Sequence, residues 1–248
     1  MSKVYIVTGG TSGMGRAVAG RLAADGAAVV IAARGKERGE AVAGEIRAAG
    51  GRALFTAADL TREEDNAMVV RAALDEYGRL DGAFNNAGGV CAFGPVQEIS
   101  DGNWRADLEL NLSSVFYAMK HQVPALLASG GGSIVNNASN LGAVGMPGVA
   151  PYVAAKHGVA GLTRSVALEN AASGIRVNAL LTGGVDTPLF RATMGATEEG
   201  AAQIAALHPV GRIAEPAEIA AFTAFLLSDE AKFITGACLA IDGGFTAR

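Results

Sequence analysis

Val4-Tyr5-Ile6-Val7-Thr8-Gly9-Gly10-Thr11-Ser12-Gly13-Met14-Gly15 sets an apolar, β-branched run directly before a glycine-rich turn. The run reads as a first strand, and Gly13 to Ala24 as the helix that follows it. Glycines in such a turn let backbone approach a pyrophosphate, while the free N–H groups of the helix's first turn face the anion. The spacing Gly9-x-x-x-Gly13-x-Gly15 departs from the Gly-x-Gly-x-x-Gly dinucleotide pattern, so the strand–turn–helix context carries the reading more than the glycines do.

The same alternation runs to the end of the chain. Strands are expected at Ala28 to Ala32, Ala53 to Thr56, Gly82 to Asn85, Gly132 to Asn137, Ile175 to Leu180 and Cys238 to Ile241. Between them lie helical stretches: Glu37 to Ala49, Arg62 to Tyr77, Trp104 to Ala128, Tyr152 to Ala172 and Ala217 to Leu227. Near-continuous apolar strands separated by helices predict a parallel sheet buried on both faces. The fold class is therefore α/β: a doubly wound sheet of about seven strands forming a single domain over residues 1–248, its ligand crevice at the strands' carboxyl ends. One irregular stretch, 183–210, mixes Leu189, Phe190 and Met194 with Gly195 and Gly200, and reads as a substrate lid.

Bulk properties narrow the function. Half of the 248 residues are hydrophobic, enough for a large core, and the 34 glycines follow no repeat, so they mark tight turns. A formal net charge of −4 and the lack of a Lys/Arg cluster argue against nucleic-acid binding. Cys91 and Cys238 lack ligand spacing and are expected as buried thiols; His121, His157 and His208 lack it too, so no catalytic metal is expected. No apolar run reaches transmembrane length and none resembles a signal peptide, which predicts a cytoplasmic protein without membrane contact.

The chemistry gathers at Tyr152-Val153-Ala154-Ala155-Lys156. On a helix that spacing puts a phenol and an ammonium on one face, one turn apart. A fixed cation beside the phenol is expected to lower its pKa from about 10 towards the range useful in acid–base catalysis.

Taken with Thr8-Gly-x-x-x-Gly13-x-Gly15, Asn85-Asn86-Ala87-Gly88, Asn111, Ser139 and the closing Thr235-Gly236 and Asp242-Gly243-Gly244, this motif resembles the short-chain dehydrogenase/reductase family along the whole chain. The resemblance implies a Rossmann-type sheet, a homotetramer or homodimer, and an NAD(P)-dependent oxidoreductase interconverting a ketone and a secondary alcohol or cyclic diol. By resemblance Tyr152 is the acid–base residue, Ser139 binds the substrate oxygen, Lys156 tunes Tyr152 and binds the nicotinamide ribose, and Asn111 holds a water joining Lys156 to solvent. The cofactor would lie on Gly9, Thr11, Ser12, Gly13, Met14 and Gly15, with Asp59 and Leu60 at the adenine and Asn86, Ala87 and Gly88 at its ribose.

Family members that prefer NAD usually carry an acidic residue where Ala33 stands, whereas Arg34, with Lys36 or Arg38, suits a 2′-phosphate. NADP(H) is therefore favoured over NAD(H). Gly183, Val185 and Thr187 match the nicotinamide carboxamide loop, but Thr182 replaces its usual proline, and a looser loop is expected. An apolar lid suits a moderately hydrophobic small molecule, with Arg191 either binding a carboxylate or solvated. The alternatives are a 3-oxoacyl-carrier-protein reductase, weakened by the absence of basic residues at 128–132 and 171–174, and a non-catalytic nucleotide sensor, which would be expected to lack Tyr152 or Lys156.

Overall fold

The computed structural model describes residues 2–247. Seven parallel strands, β1 Val4–Thr8, β2 Ala28–Ala33, β3 Arg52–Ala57, β4 Gly82–Asn85, β5 Gly132–Asn137, β6 Ile175–Thr182 and β7 Cys238–Ile241, lie in the order β3-β2-β1-β4-β5-β6-β7. Successive side chains of a strand point to opposite faces, and β1 shows the consequence. Val4 and Ile6 join one core with Val30, Leu80 and Ile134, while Tyr5 and Val7 join the other with Ile31, Phe84 and Val135. Both faces are thus apolar and both must be covered by helices.

The helices are α1 Gly13–Ala24, α2 Lys36–Ala48, α3 Glu63–Tyr77, α4 Asp101–Leu108, α5 Ser114–Ala128, α6 Ala150–Asn170, α7 Pro188–Ala192, α8 Glu198–Ala206 and α9 Pro216–Leu227. Glycine is needed at the end of α3, where Gly78 takes φ +75. Most boundaries fall within a residue or two of those read from the sequence. The expected helix from Trp104 to Ala128 is instead two helices, starting at Asp101 and separated by a π-turn at Glu109–Ser113. Periodicity alone does not register one extra residue in a turn, and Asn111 stands inside that turn. The stretch 183–210 is also more regular than expected, since it carries α7 and α8.

The strand order reverses direction between β1 and β4, so the loops leaving those two strands part and open a crevice. A buried polar chain fixes this centre: Asn85 Nδ2 donates to Asn136 Oδ1 (2.9 Å) and Gln122 Oε1 (3.0 Å), and Asn136 Nδ2 donates to Thr163 Oγ1 (3.0 Å). These bonds tie β4 and β5 to α5 and α6, and each satisfied amide avoids the cost of a buried orphan, about 1–3 kcal/mol.

Candidate active site

The turn after β1 is pressed against the turn after β4. The Thr8 hydroxyl accepts from the N–H groups of Asn86 (2.9 Å) and Ala87 (3.1 Å), and Asn86 Nδ2 donates to the Thr8 carbonyl (3.2 Å). Gly9 and Gly13 take φ +64 and +49. A Cβ on Gly15 would press into the Gly9 carbonyl and approach Asn86 Nδ2 within 2.9 Å, and one on Gly13 would meet the Thr187 methyl at 2.8 Å. Side chains at these positions would fill a backbone cradle at the N-terminus of α1, which is the shape a pyrophosphate requires. The residues present therefore fit a dinucleotide.

Asp59 lies beyond the end of β3, but its carboxylate accepts from Thr61 N (3.2 Å) and Oγ1 (2.8 Å). These bonds hold its pKa below the ordinary carboxylate value, with the Arg34 charge adding to the effect. Leu60 is buried in the core, and its carbonyl accepts from Asn66 Nδ2 (2.9 Å). Arg34 is exposed at the end of β2 and makes no ion pair among the described residues.

Ser139, Tyr152 and Lys156 line one wall of a cavity of about 250 Å³. Met14, Asn86, Gly88, Gly183, Val185 and Thr187 line it as well. Gly9, Thr11, Ser12, Gly13, Gly15, Arg34, Asp59, Leu60, Ala87 and Asn111 do not line this cavity.

Ser139 has φ 56, the one positive φ outside glycine among the described residues. Such strain persists only where the surroundings impose it. Here the Ser139 hydroxyl accepts from Leu141 N (3.3 Å), donates to Asn140 Oδ1 (3.2 Å) and reaches the Tyr152 phenol. The Lys156 ammonium sits 5.5 Å from the centre of the Tyr152 ring, as helical spacing required.

The expected electrostatics are corrected at this point. Burial raises the Tyr152 pKa above 10, against the opposing pull of Ser139 and with Asp107 pushing it higher still. Burial also lowers the Lys156 pKa from 10.5 to about 8. Removing both groups from water favours their neutral forms, and no charge from Lys156 enters the Tyr152 shift.

Asn111 is fully buried with its side chain engaged: Nδ2 donates to the Gly89 carbonyl (2.7 Å) and to Asp107, and Oδ1 accepts from Gly89 N (3.0 Å). A Cβ on Gly88 would lie 2.7 Å from Asn111 Oδ1 and 3.4 Å from Lys156 Nζ, so these groups converge on one point of backbone.

Several functional contacts were not singled out in the sequence. Asn137 is a hub: its carbonyl accepts from Lys156 Nζ (2.8 Å), its Oδ1 from Thr182 Oγ1 (3.0 Å), and its Nδ2 donates to Asn86 Oδ1 (3.2 Å). Thr182, where proline is usual, is thereby restrained by a buried hydrogen bond, and the loop is not left loose. His208 does the same on the other side: Nε2 accepts from Gly184 N (2.9 Å), while Nδ1 lies 2.8 Å from the Ile204 carbonyl. Those two partners define a neutral imidazole with its proton on Nδ1. Two adjacent asparagines ending an apolar strand were the available signal for Asn137; for His208 there was none.

Two expectations about side chains also change. Arg191 is paired with Asp186 at 2.6 Å and is the solvated arginine rather than a carboxylate receptor. Cys91 is exposed and Cys238 half-buried, so neither is a fully buried thiol.

With this geometry in view, a family profile described as "Enoyl-(Acyl carrier protein) reductase" covers residues 9–246. The cyclohexanol dehydrogenase of Acinetobacter sp. (strain SE19) is 42% identical over 247 residues, spanning 100% of this chain and 96% of the relative. The chain belongs to the short-chain dehydrogenase/reductase family. Within that family, the 2,5-dichloro-2,5-cyclohexadiene-1,4-diol dehydrogenase of Sphingobium indicum (strain UT26S and its equivalents) is 46% identical over 246 residues, covering 99% of this chain and 97% of its own. The crystal structure of levodione reductase superposes with a TM-score of 0.95 at 36% identity, covering 99% of this chain and 98% of that one. The protein is a short-chain dehydrogenase/reductase that binds a nicotinamide dinucleotide and acts on CH–OH groups of small hydrophobic molecules. No described helix is long and apolar enough to cross a membrane.

Proposed function

We propose that this enzyme interconverts a ring-borne secondary alcohol and its ketone on a small uncharged molecule, with NADP(H) preferred over NAD(H). The observation that carries the reading is the convergence of Ser139, Tyr152 and Lys156 on a predominantly apolar cavity. Val90, Leu141, Val149, Leu189 and Phe190 line the same cavity with hydrocarbon, complementary to a compact ring and hostile to an unpaired charge. Two relatives, the cyclohexanol dehydrogenase and the 2,5-dichloro-2,5-cyclohexadiene-1,4-diol dehydrogenase, are named for substrates of that shape.

A nicotinamide held beside Tyr152 and Lys156 would supply the hydride chemistry, as acceptor in alcohol oxidation and as donor in ketone reduction. Tyr152 takes the hydroxyl proton as the C=O bond forms and gives it back in the reverse direction. Ser139 donates to the substrate oxygen and steadies the charge developing there. Lys156, released from the Asn137 carbonyl, would reach the nicotinamide ribose and favour the ionised phenol. Asn111 keeps the Gly88–Gly89 backbone in place behind Lys156, so its part is positional, and any water relay would run along that backbone.

Preference for NADP(H) rests on Arg34, exposed and without an ion pair among the described residues, and on Ala33 standing where an acidic residue would favour NAD(H). Residues 183–210 act as the lid, with Thr187 capping α7 through Phe190 N (3.1 Å) while its methyl faces Gly13. The carrier-protein alternative loses a docking cation, because Arg191 at the lid is already paired with Asp186. The homotetramer or homodimer implied by family resemblance, and the cytoplasmic location expected from the sequence, belong to the same proposal.

The test is a panel of cyclic alcohols and ketones assayed with each dinucleotide, alongside carboxylated analogues and a carrier thioester. The reading requires kcat/KM to favour neutral rings and NADP(H), and Tyr152→Phe to abolish turnover while the dinucleotide still binds. Comparable turnover of the carboxylates would refute the substrate class, and a preference for NAD(H) the cofactor assignment.

A further inference from the structure

Asp107 is fully buried at the end of α4, one helical turn before Asn111. Its Oδ1 accepts from Cys91 N (3.1 Å) and Asn111 Nδ2 (3.1 Å), whereas its Oδ2 is buried without any hydrogen-bond partner. A carboxylate oxygen left bare in the interior is costly, and proteins retain such groups where their charge has a use. The carboxyl is also well placed to matter. Through Asn111 it holds Gly89, and through Cys91 it holds the loop that lines the substrate side of the cavity. Asn111 and Lys156 both approach the Gly88 backbone, and Lys156 lies 5.5 Å from the centre of the Tyr152 ring, so Asp107, through Asn111, shares one neighbourhood with the phenol.

We propose that Asp107 is a positioning residue of the reaction centre: its carboxylate holds Asn111 and the loop at 89–92 in register and sets a negative charge behind Tyr152 that governs the pH range of alcohol oxidation. The inference rests on Tyr152 being the acid–base residue. Burial raises the Asp107 pKa, and the carboxylate in turn raises that of Tyr152. The other groups facing this centre are Lys156 on α6, the Cys91 thiol on the loop, Arg34 beyond β2 acting on Cys91, and His208 beyond α8 at the cavity's far side. Of these only Asp107 and Lys156 are both ionisable and buried on the Tyr152 side. Opposite signs on the two sides of the phenol oppose each other: Lys156 favours the phenolate and Asp107 resists it.

Asp107→Asn provides a narrow test, because it removes the charge while Oδ1 can still accept from Cys91 N and Asn111 Nδ2. The experiment records kcat/KM for alcohol oxidation from pH 6 to 11 in the intact enzyme, for wild type, Asp107→Asn and Asp107→Ser, with thermal unfolding and dinucleotide affinity measured in parallel. The rising limb, which reports loss of the Tyr152 proton, should move to lower pH in Asp107→Asn while dinucleotide affinity stays as in wild type. If the asparagine variant does not fold, the serine variant carries the same readout. A limb that stays where it is in a folded variant overturns the inference, even if turnover falls, since a merely structural role would lower the rate without moving the limb. Tyr152→Phe separates the two readings. If it stays active, the acid–base assignment fails; if it is inactive while the limb of Asp107→Asn is unmoved, only the Asp107 inference fails.

Discussion

Replacing Lys156 by methionine should make the unliganded protein more stable while destroying its activity. Lys156 is 2% exposed, and burial lowers its pKa from 10.5 to about 8. At about 1.4 kcal/mol per pH unit, that displacement is a cost of roughly 3 kcal/mol for keeping the ammonium charged in the folded state. The bond from Nζ to the Asn137 carbonyl at 2.8 Å would be lost in the variant, at about 1 kcal/mol. The net expectation is a gain of about 2 kcal/mol at pH 7, with the flexible methionine filling the lysine stem's volume.

The pH dependence separates this cause from ordinary repacking. Below pH 8 lysine is charged in both folded and unfolded states, and the full cost is present. Between about 8 and 10.5 the folded state gives up its proton first, so wild-type stability from this group rises with pH. Above 10.5 both states are neutral and the cost is gone. Urea unfolding of both proteins at pH 7, 9 and 10.5 should therefore show the variant ahead at pH 7 and the gap closing on the alkaline side. A variant less stable at pH 7, or a gap unchanged with pH, would refute the reasoning.

Gly15→Ala should weaken dinucleotide binding by tenfold or more, because the added methyl enters the Gly9 carbonyl and the Asn86 amide; overpacking of this kind costs roughly 1–3 kcal/mol, and titration calorimetry would read the loss. Thr182→Val leaves Asn137 Oδ1 short of one donor, so thermal unfolding should report a loss of about 1–3 kcal/mol, with weaker dinucleotide affinity as the loop loses its tether. His208→Phe removes the acceptor for Gly184 N–H; limited proteolysis should cut 183–210 faster and KM for the dinucleotide should rise more than kcat falls. Arg191→Ala should leave kcat/KM for neutral and carboxylated substrates unchanged, because its partner is Asp186 and both are at the surface.

The parts of the fold that were legible in the sequence are those fixed by local pattern. Short apolar runs between helical stretches placed all seven strands, since a strand buried on both faces is apolar along most of its length. The turn from Gly9 to Gly15 was legible because positive φ and the absence of Cβ select glycine. Tyr152 and Lys156 were legible because four residues on a helix make one turn. The π-turn at Glu109–Ser113 was not, as one inserted residue leaves the apolar stripe nearly unchanged.

Sequence by itself therefore determined which side chains are available and that the helix of Tyr152 would present its phenol and ammonium together. Only the tertiary structure decided what those groups experience, because burial is a property of everything packed around them. It buried Lys156 and half-buried Tyr152, and this desolvation favours the neutral form of each, a shift that charge proximity alone did not imply. It likewise brought Asn137 to Thr182, His208 to Gly184 and Asp107 to Cys91, pairs 45, 24 and 16 residues apart. No local periodicity encodes such meetings; the closing of the sheet and the packing of its loops create them.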